Sequence, residues 1–220
     1  MSLREALENL AQSARLRRPA DVQRVIDQAL MRLERSGIAT SCLQPGETAP
    51  DFELEAADGG RVSLESALRD GPVVLTFYRG GWCPYCNLAL RALDHALPAL
   101  RARGARLLAI SPQHAAALRE IVARHGLRFT LLSDPENRVG RLFGLTFHLP
   151  DDLIAFYRAM GIDLAAANGA AQWELPLPAT YVIARDGTVA HAFIDIDYTR
   201  RAEPADIVAA IERLAKEPVT

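Results

Sequence analysis

Hydrophobic positions along the chain change their period several times, and each change marks an element. Leu3, Leu7 and Leu10 recur at helical spacing. After the Arg17-Arg18-Pro19 break, Val22, Val25, Ile26, Ala29, Leu30 and Leu33 form a second apolar stripe that stops at Gly37. Two amphipathic helices are predicted, each needing a surface on which to bury its stripe. Ser36 to Thr48 reads as a linker that carries Cys42. From Ala49 the period drops to two. Pro50 to Leu54 alternates, Asp58-Gly59-Gly60 supplies a turn, and Arg61 to Leu64 alternates again, which predicts a hairpin.

Pro72 to Tyr78 is a continuous apolar, β-branched and aromatic run, the pattern of a central strand covered on both faces. Arg79-Gly80-Gly81-Trp82 breaks it. Cys86 to Arg103 then carries a helical stripe through Leu90, Leu93, Leu97 and Leu100, which Pro98 is expected to kink or end. Ala105 to Ile110 is a second buried strand, Ala115 to His125 a helix, and Phe129 to Leu132 a third strand. Asp134-Pro135 offers a cap residue and a first-turn proline for another helix. Asp151 to Met160 predicts a helix leading to a Gly- and Ala-rich stretch around Asn168-Gly169. Thr180 to Ile183, the turn Arg185-Asp186-Gly187 and Val189 to Ile194 form a second hairpin, and Pro204 to Lys216 a closing helix. The order is helices, hairpin, β-α-β-α-β-α, hairpin, helix. Crossover units imply parallel strands and the late hairpin an antiparallel edge, giving a mixed central sheet with helices on both faces.

Composition removes several function classes. The 220 residues are half hydrophobic and about a quarter charged, enough to bury a core without disulfides. Net charge is −2, divided as +2 over residues 1–45 and −4 over the remainder, so neither part has the basic footprint of a nucleic-acid binder. No apolar run approaches the length of a membrane span. The N-terminus, MSLREALENL, lacks a signal-peptide core, and a cytoplasmic location is expected.

Three cysteines are the informative count, because two stand in Cys83-Pro84-Tyr85-Cys86. A C-x-x-C in a chain without a signal reads as redox or metal chemistry. Structural zinc needs four ligands and this motif supplies two. The five histidines (His95, His114, His125, His148, His191) are scattered, so no metal is expected. The cysteines follow a buried strand and open a helix, where unpaired N–H groups and the helix dipole favour a thiolate. Arg79 is a candidate thiolate stabiliser. Two sulfurs so placed can close a disulfide with little rearrangement, the minimum equipment of a two-electron redox cycle.

The stretches GETAPDFELEAADGGRVSLESAL, VVLTFYRGGWCPYC, LLAISPQ, FTLLSD and PATYVIARDGTV resemble the alkyl hydroperoxide reductase/thiol-specific antioxidant family, in its peroxiredoxin-like branch. The resemblance implies a thioredoxin-like, peroxiredoxin-type α/β three-layer sandwich over residues 46–220. Residues 1–45 are then an added helical extension and linker. Laid on the family's Pro-x-x-x-Thr-x-x-Cys pattern, Cys86 takes the peroxidatic position, Cys83 the threonine and Arg79 the proline. The family's catalytic arginine falls on Pro178, a proline that thioredoxin-like oxidoreductases carry in cis facing their C-x-x-C. Trp82-Cys83 is also thioredoxin-like, and Cys-Pro-Tyr-Cys matches the glutaredoxin motif.

Two mechanisms follow from the resemblance. In a peroxidase, Cys86 attacks a hydroperoxide and Cys83 resolves the sulfenic acid, with thioredoxin, glutaredoxin or glutathione as reductant. In a thiol-disulfide oxidoreductase, Cys83, expected to be the more exposed thiol, attacks a disulfide and Cys86 releases it. A redox-inert binding module on the same fold is the remaining class. Neither enzyme needs a metal, flavin or haem, and a homodimer is compatible with both. Trp82 is expected at the substrate cleft, and Cys42 as a free structural thiol. Asp195 and Asp197 share a strand face, which reads as a solvated strand end or, alternatively, an acid or metal pair. If the missing arginine has a substitute, Arg79 is the first candidate and Arg200 or Arg201 the second.

Overall fold

The computed structural model describes residues 1–168 and 173–215. The chain opens with α1 (Leu3–Arg17) and α2 (Ala20–Ser36). A reciprocal capping box starts α1: the Glu5 N–H donates to Ser2 Oγ at 3.1 Å, and the Ser2 N–H donates to the Glu5 carboxylate at 2.7 Å. α2 ends at Gly37, whose φ of 68° is the left-handed cap that glycine adopts without a Cβ penalty. One further turn, α3 (Ile38–Ser41), lies within the predicted linker.

The first hairpin forms as β1 (Glu53–Ala56) and β2 (Arg61–Ser63), with Leu54 opposite Val62. Leu64, which alternates with Val62 like a strand residue, instead begins α4 (Leu64–Asp70). The reason is local: Ser63 Oγ accepts the Ser66 N–H and caps a helix there. The crossover units follow as β3 (Val73–Phe77), α5 (Pro84–Arg101), β4 (Arg106–Ser111), α6 (Ala115–His125) and β5 (Thr130–Ser133).

Pro98 does not end α5. The ring removes the N–H that would bond the Asp94 carbonyl. Arg128 Nη2 donates to that carbonyl at 2.9 Å and also pairs with the Asp94 carboxylate at 2.8 Å, so the gap in the helix is filled from outside. Asp134-Pro135 likewise opens a single 3₁₀ turn, Pro135–Asn137. The Asp134 carboxylate reaches past it to cap α7 (Arg138–Leu142), accepting the Val139 and Gly140 N–H groups.

Beyond α7 lie β6 (Thr146–His148), α8 (Asp151–Ala159), α9 (Leu164–Asn168) and β7 (Glu174–Pro176), then β8 (Ala179–Ile183), β9 (Val189–Ile194) and α10 (Pro204–Leu214). Gly169 and the predicted helix end Lys216 lie outside the described residues. The β6–β7 ribbon, with Phe147 opposite Leu175, is too short for its alternation to register in the sequence.

Seven strands make one sheet in the order β2-β1-β5-β4-β3-β8-β9. β3, β4 and β5 are parallel, and antiparallel hairpins close both edges. The period of two sorts the central strands. Val73, Leu75, Phe77, Leu108 and Ile110 face a core completed by Leu64 of α4 and Phe143 beside α7. Val74, Leu107, Ala109 and Leu131 face the opposite core, with Leu7 of α1, Leu93 of α5, Leu118 of α6 and Ile207 of α10. A third cluster joins Ile26 of α2 to Leu153 of α8 and Leu175 of β7. These layers bring the carboxyl end of β3, the start of α5 and the segment after β9 to one rim.

Candidate active site

The site begins where β3 leaves the sheet. The Tyr78 N–H still bonds the Ile110 carbonyl at 3.0 Å, and the chain then turns through Gly80 and Gly81. Gly80 has φ of 146°, and a Cβ there would sit 2.8 Å from Trp82 Cδ1. A Cβ on Gly81 would sit 2.6 Å from Ile121 Cγ1. Glycine at both positions lets the loop lie flat between the Trp82 ring and α6. The Gly81 N–H donates to Gln113 Oε1 at 2.6 Å, and Asn87 Nδ2 donates to the Gly81 carbonyl at 2.9 Å. The loop is pinned on both sides.

Cys83 is the N-cap of α5, Pro84 its first residue, and Cys86 stands in the same first turn. Both thiols are free and buried, with Cys83 2% and Cys86 0% exposed. Cys83 is only marginally the more exposed of the two, and both belong to the core cluster that holds Tyr85 and against which Trp82 packs.

The two sulfurs differ in charge. Burial opposes a thiolate at Cys86. It is outweighed by the S–H that Cys83 donates, by the Arg201 and Arg79 guanidiniums and by the Arg79 backbone N–H, which together hold the Cys86 thiol well below its ordinary value. Arg201 Nη2 lies 3.2 Å from Cys86 Sγ. The hydrogen bond to Cys86, then burial and the neighbouring negative charge, hold the Cys83 thiol well above the ordinary range. The surroundings thus favour the thiolate at Cys86 and the proton at Cys83.

Arg79 is also buried, at 3% exposed. Its guanidinium lies under three rings, with Cζ 4.6 Å from the Tyr198 centroid, 5.1 Å from Trp82 and 5.8 Å from Tyr157, and it donates to the Tyr157 hydroxyl. Sequence reasoning missed Tyr157, because on α8 it reads as one more residue of an apolar stripe. Arg79 remains close enough to both cysteines to favour a thiolate. The guanidinium in hydrogen-bond contact with the sulfur is nevertheless that of Arg201, the second candidate, from the segment between β9 and α10. Arg200 instead pairs with Asp195 at 3.1 Å.

Pro178 is buried just before β8, and no peptide bond among the described residues is cis. The expected cis proline is corrected to trans. The Leu177 N–H bonds the Leu145 carbonyl at 2.8 Å, so the chain passes extended from β7 into β8 and an ordinary peptide suffices. Trp82 packs edge-on against Tyr157, with centroids 5.6 Å apart, beside the pair. Cys42 lies in the core on the other face of the sheet from Cys83 and Cys86. Its Sγ donates to the Ile38 and Gly144 carbonyls, and burial pushes its thiol up to about 11. Asp195 and Asp197 are engaged in local turns: Asp195 accepts the Asp197 N–H, and Asp197 accepts from Thr199.

A dithiol over a helix N-terminus at the carboxyl end of a central strand, one sulfur ionised and the other holding its proton, defines the class of thiol redox proteins. The chain belongs to the AhpC/TSA family, whose model matches residues 45–192. It is 29% identical over 178 residues to the chloroplastic peroxiredoxin Q of Triticum aestivum, covering 81% of this chain and 71% of that one. It is 30% identical over 159 residues to that of Oryza sativa subsp. japonica, covering 72% and 63%. Among solved structures it is similar to peroxidoxin BcpB from Mycobacterium tuberculosis, with TM-score 0.62 and 22% identity over 78% of this chain and 97% of that one. It is also similar to peroxiredoxin Q of Xanthomonas campestris, with TM-score 0.57 and 19% identity over 80% and 96%. These likenesses establish the thioredoxin-like peroxiredoxin fold.

Proposed function

We propose that the protein is a thiol-dependent peroxidase, with Cys86 as the peroxidatic and Cys83 as the resolving thiol. The observation that carries the assignment is the convergence of positive charge and hydrogen bonds on one sulfur. Arg201 Nη2 and the Cys83 S–H both reach Cys86, whereas the Cys83 thiol is held in its protonated form. The Cys86 thiolate attacks an oxygen of a hydroperoxide. An S–O bond forms and the O–O bond breaks; the departing alkoxide or hydroxide takes a proton from solvent and leaves as alcohol or water, so that Cys86 becomes a sulfenic acid. Cys83 Sγ then attacks the Cys86 sulfur. The S–S bond forms as the hydroxyl departs, carrying the Cys83 proton away as water.

An external thiol donor of the thioredoxin, glutaredoxin or glutathione kind returns two electrons by exchange. The cycle uses peroxide, two cysteines and that donor, with no metal or organic cofactor. Arg201 and Arg79 act as electrostatic stabilisers of the attacking sulfur. Trp82 packs against Tyr157 beside the pair, and Pro178 lines the neighbouring cavity.

Stopped-flow mixing with hydrogen peroxide tests the roles. Cys83→Ser is expected to be oxidised once, at close to the parent rate, and to stall as a sulfenic acid. Cys86→Ser should react no faster than an ordinary thiol. The reverse pattern, with fast peroxide consumption surviving in Cys86→Ser, would overturn the assignment and favour disulfide exchange led by Cys83.

A further inference from the structure

Next to Arg79, and lined by neither cysteine, lies a cavity of about 550 Å³, within the range of sites that enclose a small organic ligand and far larger than hydrogen peroxide requires. One wall is α2, through Ile26, Ala29 and Leu33; the facing wall is α8, through Leu153 and Phe156. The α2 wall comes from chain that precedes the family-matched residues. Arg79, Tyr157 and Tyr198 close the inner end, and the exposed Arg32 and Ser36 mark the mouth.

The lining is mostly apolar, yet among the described residues no Asp or Glu contributes to it, whereas Arg79 and Arg32 do. Arg32 is already paired with Asp152 at 2.8 Å. Arg79 makes no ion pair with a carboxylate among the described residues, and its buried Nε has no hydrogen-bond partner. Arg201 already engages Cys86 Sγ at 3.2 Å, so among the described residues the buried Arg79 guanidinium has no acidic partner of its own in contact. Uncompensated buried charge is costly, and an anion entering from the cavity would remove that cost.

We infer that this cavity is a binding site for an amphiphilic monocarboxylate, its head group on Arg79 and its hydrocarbon tail between α2 and α8. The two halves of the ligand follow from different observations, the tail from the apolar walls and the head from the unpaired buried guanidinium. Because Arg79 also favours the Cys86 thiolate, ligand and thiolate draw on the same charge. By linkage, the acid should bind more tightly when Cys86 is uncharged, as in the disulfide, and should raise the titration midpoint of Cys86 when bound. The inference stands apart from the peroxidase reading, since binding is measured without turnover.

The test is calorimetric titration of the whole protein, reduced and oxidised, with dodecanoate and with dodecanol. Dodecanoate is expected to saturate one site and to bind about tenfold or more tightly than the alcohol, the effect of one charged hydrogen bond. Oxidation to the disulfide should tighten the acid and leave the alcohol unchanged. Ala29→Phe, which fills the cavity from α2, should weaken dodecanoate about tenfold or more. No saturable binding, equal affinity for acid and alcohol, or an unchanged affinity in Ala29→Phe would each overturn the proposal. The acid and alcohol comparison on the unaltered chain keeps the test valid if that variant fails to fold. Among supporting outcomes, consumption of a long-chain acid hydroperoxide with dodecanoate as competitor would make the ligand a substrate. Binding of dodecanoate without such consumption would make it an effector.

Discussion

Cys86 has no exposed surface, and burial, the largest single influence on its acidity, opposes the thiolate; the hydrogen bond from Cys83 and the Arg201 and Arg79 guanidiniums together outweigh it. A guanidinium at 3.2 Å in a site with little water is worth far more than the same contact on a surface. Arg201→Met should therefore raise the Cys86 pKa and slow peroxide oxidation near neutral pH by about tenfold to a hundredfold, the range expected for loss of one charge-assisted hydrogen bond. Arg201→Lys should recover part of that loss, a result that a merely structural arginine would not give. The pH dependence has a definite sign. A Cys86 pKa held below the ordinary 9.0 contributes stability that is full above 9.0 and is lost as pH falls through the folded value, and the oxidation rate declines along the same limb. Cys83 runs the other way: its contribution is full below 9.0 and is lost as pH rises through its raised value. Absorbance of the thiolate against pH, in the parent and in Cys83→Ser, separates the two.

At the scale of elements, α5 carries the site and must survive a proline fourteen residues into its length. Arg128 makes that possible by serving the Asp94 carbonyl and carboxylate together. Although burial opposes ionisation of Asp94, hydrogen bonds from the Arg128 side chain and backbone and the Arg128 charge hold its carboxyl below the usual 3.8. Its contribution is full above about that pH and is lost as pH falls through the folded value. Because the Arg128 side chain is 57% exposed, the pair is screened, and Asp94→Asn should cost only about 1 kcal/mol, read from the urea midpoint. The same variant should flatten the acid limb of the stability profile. The sequence disclosed this helix through its leucine stripe. It did not disclose that the helix would run past Pro98, because the compensating donor comes from the loop before β5. The helix α4 was hidden for a related reason: a two-residue alternation over Arg61 to Leu64 cannot be told from a short strand until the Ser63 cap is seen in place.

For the molecule as a whole, two cores on opposite faces of one sheet make the rim where β3, α5 and the segment after β9 meet. The helices that precede the family-matched segment take part in this packing. Leu3 and Leu7 of α1 join the core shared by α5 and α10, and Ile26 and Ala29 of α2 join the cluster with α8. Leu7→Ala, which removes a side chain 3% exposed, should cost about 2–4 kcal/mol and lower the melting temperature in a single transition. A separate early transition for α1, with the remaining chain unchanged, would show instead that the helix is only an appendage.

Spacing along the chain was enough to determine the buried central strands, the amphipathic helices, the mixed sheet they build, and the position of two cysteines at a helix start beyond a strand. Each of these depends on interactions within a few turns or on a simple periodicity, which a linear pattern can carry. Tertiary structure alone decided which sulfur is ionised, because the guanidinium that meets Cys86 stands 115 positions away at the end of a loop whose path depends on β9 and α10 both being docked. It also decided that Arg79 would be enclosed by Trp82, Tyr157 and Tyr198 and face a cavity walled by α2. Charge and shape at a site are sums over residues brought together by packing, and no local period in the chain records which distant elements will meet.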